Sequence, residues 1–181
     1  MLFRSGVETE VAPNRSKYTN AGQALPALRS QQYEIGVKGQ WTQARWQATV
    51  FDITRPQTGD AGTCNADNTC TRQTDGQAHH RGLELAAGLT QGAWTLDAGA
   101  AWIDAMRQNA VIDPTVNGQR ALNVPRMTLR AQAQYRFADV PGLRTSLRLS
   151  HEAERLAAVL DDGSSLKLPG WTTLDLATHY D

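Results

Sequence analysis

The sequence predicts an all-β fold, a segment of an antiparallel transmembrane β-barrel with about eight strands, short periplasmic turns and long extracellular loops. Three observations predict it. Apolar and polar residues alternate with period two over long stretches, as strands with one apolar and one polar face require. Short and long connections alternate strictly along the chain, which is the loop pattern of a membrane barrel. Trp94 and Trp102 stand eight residues apart on one apolar face, roughly 26 Å along a strand at ~3.3 Å per residue. Tilted, that span matches the ~25 Å apolar band with an aromatic at each membrane interface.

Taken in order, a short strand covers Leu2 to Val7. Tyr33, Ile35 and Val37 then alternate with Glu34, Gly36 and Lys38, and a weaker strand runs from Ala44 to about Ile53. Leu83, Leu85, Ala87 and Leu89 oppose Gly82, Glu84, Ala86 and Gly88. Trp94, Leu96, Ala98, Ala100 and Trp102 oppose Thr95, Asp97, Gly99 and Ala101. The clearest alternation spans Arg126 to Phe137, where all twelve positions fit one apolar and one polar face. A helix would spread its arginines around the whole circumference. Leu143 to Ser150 repeats the pattern, and Leu174 and Leu176 flank Asp175. The joins near Thr42-Gln43, Gln91-Gly92 and Ala138-Gly142 have hairpin length. The long polar links are Glu8–Arg29, Thr54–Ala78, Ala105–Val124 and Ala153–Leu168.

A charged side chain on the lipid face near the midplane costs roughly 2–4 kcal/mol, so the charged face is expected to point into the lumen. That assigns Glu34, Lys38, Glu84, Arg126, Arg130 and Arg148 to the inward side, with Gly82 and Gly88 where a close neighbour favours no side chain. The rival fold is a soluble β-sandwich or jelly roll. Against it stand the length of the strands, the tryptophan spacing and an apolar face in which Ala is as common as Leu. That face suits lipid contact better than an interlocking core.

Composition is consistent with this reading. The chain has 181 residues with 18 basic and 18 acidic side chains, so no charge excess points to a nucleic-acid partner. Mean hydropathy is -0.47, which a barrel produces because its apolar residues occupy every second position. The longest apolar run is Leu156–Leu160, far below the ~20 residues of a membrane helix. Met1–Gly6 carries no signal-peptide pattern, so an exported protein of this kind is expected to begin upstream.

Cys64 and Cys70 bracket five residues, Asn65-Ala66-Asp67-Asn68-Thr69, in an expected outer loop. In an oxidising compartment this spacing reads as a disulfide closing a small ring. A zinc site would need further ligands. Asp60, Asp67 and Asn68 lack the spaced ligands of a calcium loop, and turn chemistry accounts for them. No metal or cofactor is expected. Catalysis is not expected either: no phosphate loop, G-x-S-x-G or His-Glu-x-x-His occurs, and nothing selects Ser164, Ser165, Asp161, Asp162 and His151 as a catalytic set.

Four stretches carry a resemblance: Leu28–Gly39 (LRSQQYEIGVKG), His80–Gly88 (HRGLELAAG), Asn117–Arg130 (NGQRALNVPRMTLR) and Gly170–Tyr180 (GWTTLDLATHY). In that order and spacing they resemble the C-terminal barrel half of TonB-dependent siderophore receptors, and the likeness runs over nearly the whole chain. The resemblance implies residence in the outer membrane as a multi-pass barrel, import of a ferric siderophore, and contacts with outer-membrane lipid. It also implies contact with the TonB complex through a plug region outside these residues. Barrels of this family have about 22 strands, so residues 1–181 are expected to form a partial barrel domain lacking the plug and terminal strands. Under this reading His79, His80, Arg81 and Arg126 are candidates for a ligand-facing vestibule, although interfacial polar residues at a strand mouth account for the first three more simply. The inward arginines either attract an anionic ligand or pair with carboxylates of a plug or of neighbouring strands. The alternatives are a small eight-stranded barrel serving as anchor or adhesin, and a passive porin.

Overall fold

The structure is a computed structural model describing residues 2–160 and 164–181, with Leu2 described by its backbone alone. Eight strands form one antiparallel sheet: β1 (Leu2–Glu8), β2 (Leu28–Gln40), β3 (Ala44–Gly62), β4 (Cys70–Gln91), β5 (Trp94–Gln108), β6 (Met127–Arg136), β7 (Leu143–Glu152) and β10 (Trp171–Tyr180). A separate two-stranded ribbon pairs β8 (Arg155–Val159) with β9 (Ser165–Leu168). One 3-10 turn, Pro114–Val116, is capped by Asp113. The sheet order is β1-β2-β3-β4-β5-β6-β7-β10, so β1 and β10 are its two edges and the sheet is not closed.

Each turn at the short end has a local cause. The Trp41 amide donates to the Ala44 carbonyl across Thr42-Gln43, and the Phe137 amide donates to Leu143. Gly92 adopts positive φ in the β4–β5 turn, and Gly142 does so in the same β6–β7 turn that the Phe137 bond closes, a conformation open to glycine without steric cost.

Two expected loops turn out to be strand. Thr54–Ala78 is an extension of the β3–β4 hairpin, which reaches 19 and 22 residues in its two arms before closing through Thr63–Thr69. Its alternation disappears because no face of this extension needs to be wholly apolar, while the backbone still pairs. In the same way Ala153–Leu168 contains the β8–β9 ribbon, and β5 continues to Gln108, past the expected end at Trp102.

The chain divides into two compact units. The first comprises Met1–Glu34, Phe51–Arg81 and Asp104–Ala121, and the second Ile35–Val50, Gly82–Ile103 and Leu122–Asp181. The first collects most of the buried residues, including Ala12, Tyr18, Leu25, Leu28, Cys70, Ala78, Ala105 and Ala110. The second exposes its large apolar side chains: Ile35, Val37, Val50, Leu85, Leu96, Leu147, Leu174 and Leu176 are all open. A soluble sandwich would cover such a face. Here it is the lipid side of a membrane wall.

Aromatics gather on this side near the short turns. Trp94 packs on Tyr135 with ring centroids 4.8 Å apart, and Tyr135 meets Phe137 edge-on at 5.0 Å. Trp41 and Trp46 lie 6.5 Å apart. Trp102, at the far end of the β5 span, is half exposed and is the Cα partner of Met127.

Candidate functional site

In the second unit the strand registers align the polar face into rows. Gly99, Arg130, Ser150 and Thr173 form one row, and Asp97, Gln132, Arg148 and Asp175 form the next. Arg148 donates to the Gln132 amide oxygen from both Nε (3.3 Å) and a terminal nitrogen (3.1 Å). Arg45 on β3 reaches Asp97 on β5 at 2.6 Å. That pair passes over Gly88 of β4: a Cβ there would lie 2.8 Å from both the Arg45 Nε and the Asp97 Oδ1. Glycine at 88 is therefore explained by a close neighbour on the inward face. Lys38, Glu84, Arg126 and Arg130 are exposed. Ile103, whose amide donates to the Arg126 carbonyl, ties Arg126 into the start of β6. Glu34, in the first unit, accepts from Gln32 of its own strand.

The first unit holds a braced outer hairpin. Cys64 and Cys70 form a disulfide, and Cys70 is fully buried. The segment Ser16–Asn20 runs alongside this tip. Amides of Asn68, Thr69 and Cys70 donate to the carbonyls of Ser16 and Lys17, and the Thr19 amide donates to the Cys70 carbonyl. The Asn20 side chain both donates to and accepts from the Arg72 backbone. Tyr18, 5% exposed, donates its hydroxyl to Asp60 at 2.8 Å, and Arg72 bridges Glu10 and Asp60 at 3.0 Å each. The Asp60 carboxylate and both sulfurs lie within 4.8 Å of one another. Sulfurs joined in a disulfide are not thiolate ligands, and Asp60 is committed to Tyr18 and Arg72, so the cluster is structural. Burial alone would raise the Asp60 carboxyl. The hydrogen bonds from Tyr18 and Arg72, with the charges of Arg72 and Lys17, outweigh it and hold the group below its ordinary value.

A second brace is Asp75, buried in β4. Its Oδ1 accepts from the amides of Val111 (2.7 Å) and Ile112 (3.1 Å). Next to it Gly76 has φ +69°, and a Cβ there would lie 2.7 Å from the Ala110 nitrogen. Asn117 closes the same loop by donating to and accepting from the Ala110 backbone. Burial pushes the Asp75 carboxyl up, but the backbone donors and Arg107 prevail and lower it. A depressed carboxylate contributes stability that is present above its unfolded value and lost as pH falls through the folded one. Asp75→Ala is expected to lower the local opening free energy of residues 109–118 by about 1–3 kcal/mol. Amide exchange at Val111 and Ile112 in the complete protein at neutral pH measures this. In the parent protein their protection should fail only below the ordinary carboxylate range, and unchanged exchange in the variant would refute the brace.

The candidate vestibule residues are distributed differently from the simple expectation. His79 and Arg81 both engage Asp52, at 2.6 and 3.0 Å, while His80 between them alternates to the opposite face of β4. Asp52 was not singled out by sequence, although an acid inside Val50-Phe51-Asp52-Ile53 is an available signal. Tyr18, Arg72 and Asp75 also escaped it, since their partners are distant in the chain. Of the imagined catalytic set, Asp161 and Asp162 lie outside the described residues. His151 bonds Thr172 at 2.8 Å.

Comparison with known proteins adds the following. The family described as TonB dependent receptor-like, beta-barrel matches residues 2–181. The ferrichrome receptor FcuA of Yersinia enterocolitica is 31% identical over 168 residues, covering 92% of this chain and 21% of that protein. The metal-pseudopaline receptor CntO of Pseudomonas aeruginosa is 28% identical, covering 99% of this chain and 26% of that protein. Among solved structures, the ferric preacinetobactin receptor BauA of Acinetobacter baumannii superposes with a TM-score of 0.74 at 21% identity, covering 97% of this chain and 26% of that one. The chain thus spans about a fifth to a quarter of the length of these relatives.

Proposed function

The chain belongs to the TonB-dependent receptor-like β-barrel family, and from that premise we propose that it is a section of an outer-membrane receptor that imports ferric siderophores. The family is one of transport receptors, and its barrels reside in the outer membrane. The observation that carries the reading is the family match over residues 2–181 on strands with one open apolar face and one charged face. The names of the relatives support the substrate class: one is a ferrichrome receptor and another a metal-pseudopaline receptor.

In this reading residues 1–181 are a partial barrel domain, and β1 and β10 pair with further strands of a larger wall. The braced outer segments take part in capturing the chelate, lipid covers the apolar side, and a plug elsewhere in the protein engages the TonB complex. His79, His80, Arg81 and Arg126 remain vestibule candidates, with His80 and Arg126 the better placed because Asp52 already holds the other two. A small closed anchor barrel needs β1 paired with β10, and the sheet order leaves these two strands at opposite edges, not paired with each other.

The test is uptake of radioiron siderophores by iron-starved cells that carry the complete gene as their sole receptor of this type. Uptake is expected, and deletion of TonB should abolish it. A complete protein that imports none of the siderophores offered, or imports equally without TonB, would overturn the proposal.

A further inference from the structure

The ring at the tip of the β3–β4 hairpin presents its two sulfur-bearing residues unequally. Cys70 is fully buried, whereas Cys64 is half-buried and leads into residues 65–68, all of them exposed. Thiol–disulfide exchange needs the attacking sulfur to reach one sulfur of the pair, and access decides which one is struck. Access here favours Cys64 and leaves Cys70 as the departing sulfur.

Cys70 is also where the strap of residues 16–20 is fastened. Tyr18 meets it in an isolated parallel bridge. The Cys70 amide donates to the Lys17 carbonyl, and its carbonyl accepts from the Thr19 amide at 2.7 Å. The neighbouring contacts of the strap fall on Asn68, Thr69, Thr71 and Arg72. The Tyr18 hydroxyl goes to Asp60, whose carboxylate lies within 4.8 Å of both sulfurs. The strap is thus seated on the ring, on the two residues after it and beside its sulfurs.

The ring holds a backbone that an open chain would not keep. Cys64 and Asn68 have φ of +52° and +53°, the left-handed region that Asn tolerates and most side chains disfavour. Once the ring is cut, Cys64 is free to return to an ordinary φ. The amides of Asn68, Thr69 and Cys70 then lose their alignment with the carbonyls of Ser16 and Lys17. Residues kept in sparse conformations by a surrounding constraint are a recognised basis for switching between two states.

We propose that the Cys64–Cys70 disulfide is a redox latch: a small thiol outside the cell opens it at Cys64, and the opened ring releases the strap from the hairpin. The thiolate sulfur bonds to Cys64 and the S–S bond breaks. Cys70 leaves with the electron pair and takes up a proton. A second thiolate attacks the small-molecule sulfur of the mixed disulfide, and Cys64 leaves as a thiol. The two small thiols end as their own disulfide, oxidised by the two electrons that the cysteines gain. The use of the latch rests on the import reading: a released strap loosens an outer capture segment, so the receptor holds its chelate less firmly in a reducing medium.

The test treats the complete receptor in phospholipid bilayers with reduced glutathione, followed by mass mapping and amide exchange. The mixed disulfide should appear on Cys64. After full reduction the Thr19 amide should exchange about tenfold faster or more, as local opening without global unfolding allows. Val111 and Ile112, held by Asp75 in the same unit, should keep the parent's rates. Oxidised glutathione should restore Thr19 protection. Cys64→Ser with Cys70→Ser should reproduce the fast Thr19 exchange without any thiol, and the glutathione arm guards against a folding defect in that variant. Affinity for the tightest member of a radioiron chelate panel that includes ferrichrome should fall about fivefold on reduction, the low end of coupling between linked sites. An adduct on Cys70, a ring that resists glutathione until the barrel unfolds, or parent-like Thr19 protection in the opened ring would each overturn the latch. Equal gains at Val111 and Ile112 would do the same, since they mean general loosening. Strap release with unchanged chelate affinity would overturn the role in capture and leave the import reading intact. A parent receptor that binds and imports no chelate would sink the import reading, and Thr19 exchange would then decide the latch by itself.

Discussion

An arginine at Ala131 is expected to destabilise the complete barrel by about 2–4 kcal/mol, while an arginine at the next residue, Gln132, should cost no more than about 1 kcal/mol, the scale of an unfavourable cross-strand pair. The contrast follows from strand geometry. Ala131 pairs with Ala98 and Leu149, and Ala98 is midway between Trp94 and Trp102, so the new charge would enter the centre of the lipid band. Gln132 pairs with Asp97 and Arg148 on the polar side, where a new cation loses the Arg148 hydrogen bonds and meets that like charge but keeps water around it. Guanidinium unfolding of the complete receptor from phospholipid bilayers gives both numbers. Equal losses at the two sites would refute the face assignment.

Tyr18→Ala should loosen the outer hairpin by about 3 kcal/mol, the usual scale for removing a buried aromatic ring. Tyr18→Phe keeps the ring and should lose about 1–2 kcal/mol through the unmet Asp60 acceptor. The readout is amide exchange at Thr69 and Cys70, whose N–H groups donate to the Lys17 carbonyl. Because the disulfide ring survives in both variants, faster exchange there reports undocking of the Ser16–Asn20 segment and not opening of the ring. Protection equal to the parent's would mean that the ring alone organises the tip.

The strand core was readable in the sequence wherever one face meets lipid. Arg126–Phe137 contains β6, Met127–Arg136, and Leu143–Ser150 is most of β7, because lipid enforces an apolar residue at every second position. The upper arms of β3 and β4 were unreadable for the complementary reason. Residues such as Thr54, Gln57, Thr71 and Gln73 belong to these strands without an apolar partner face, and the period-two signal vanishes where neither face must be apolar. Cys64 and Cys70 were legible since a short ring depends on local spacing. The links of Tyr18 to Asp60 and of Asp75 to Val111, 42 and 36 residues apart, depend on which strands become neighbours, and spacing carries no record of that.

The Arg45–Asp97 pair over Gly88 has a mechanical consequence. Its side chains are 73% and 41% exposed, so at rest it contributes little, on the scale of 0–1 kcal/mol for exposed pairs. Yet it joins β3 to β5 across the strand between them. Backbone hydrogen bonds tie each strand only to its nearest neighbours, and a pull along β4 would load two separate seams. A strut over the middle strand shares that load between them, so the belt near the short turns resists sliding as a three-strand unit. Any side chain at position 88 would part the strut and return the load to single seams.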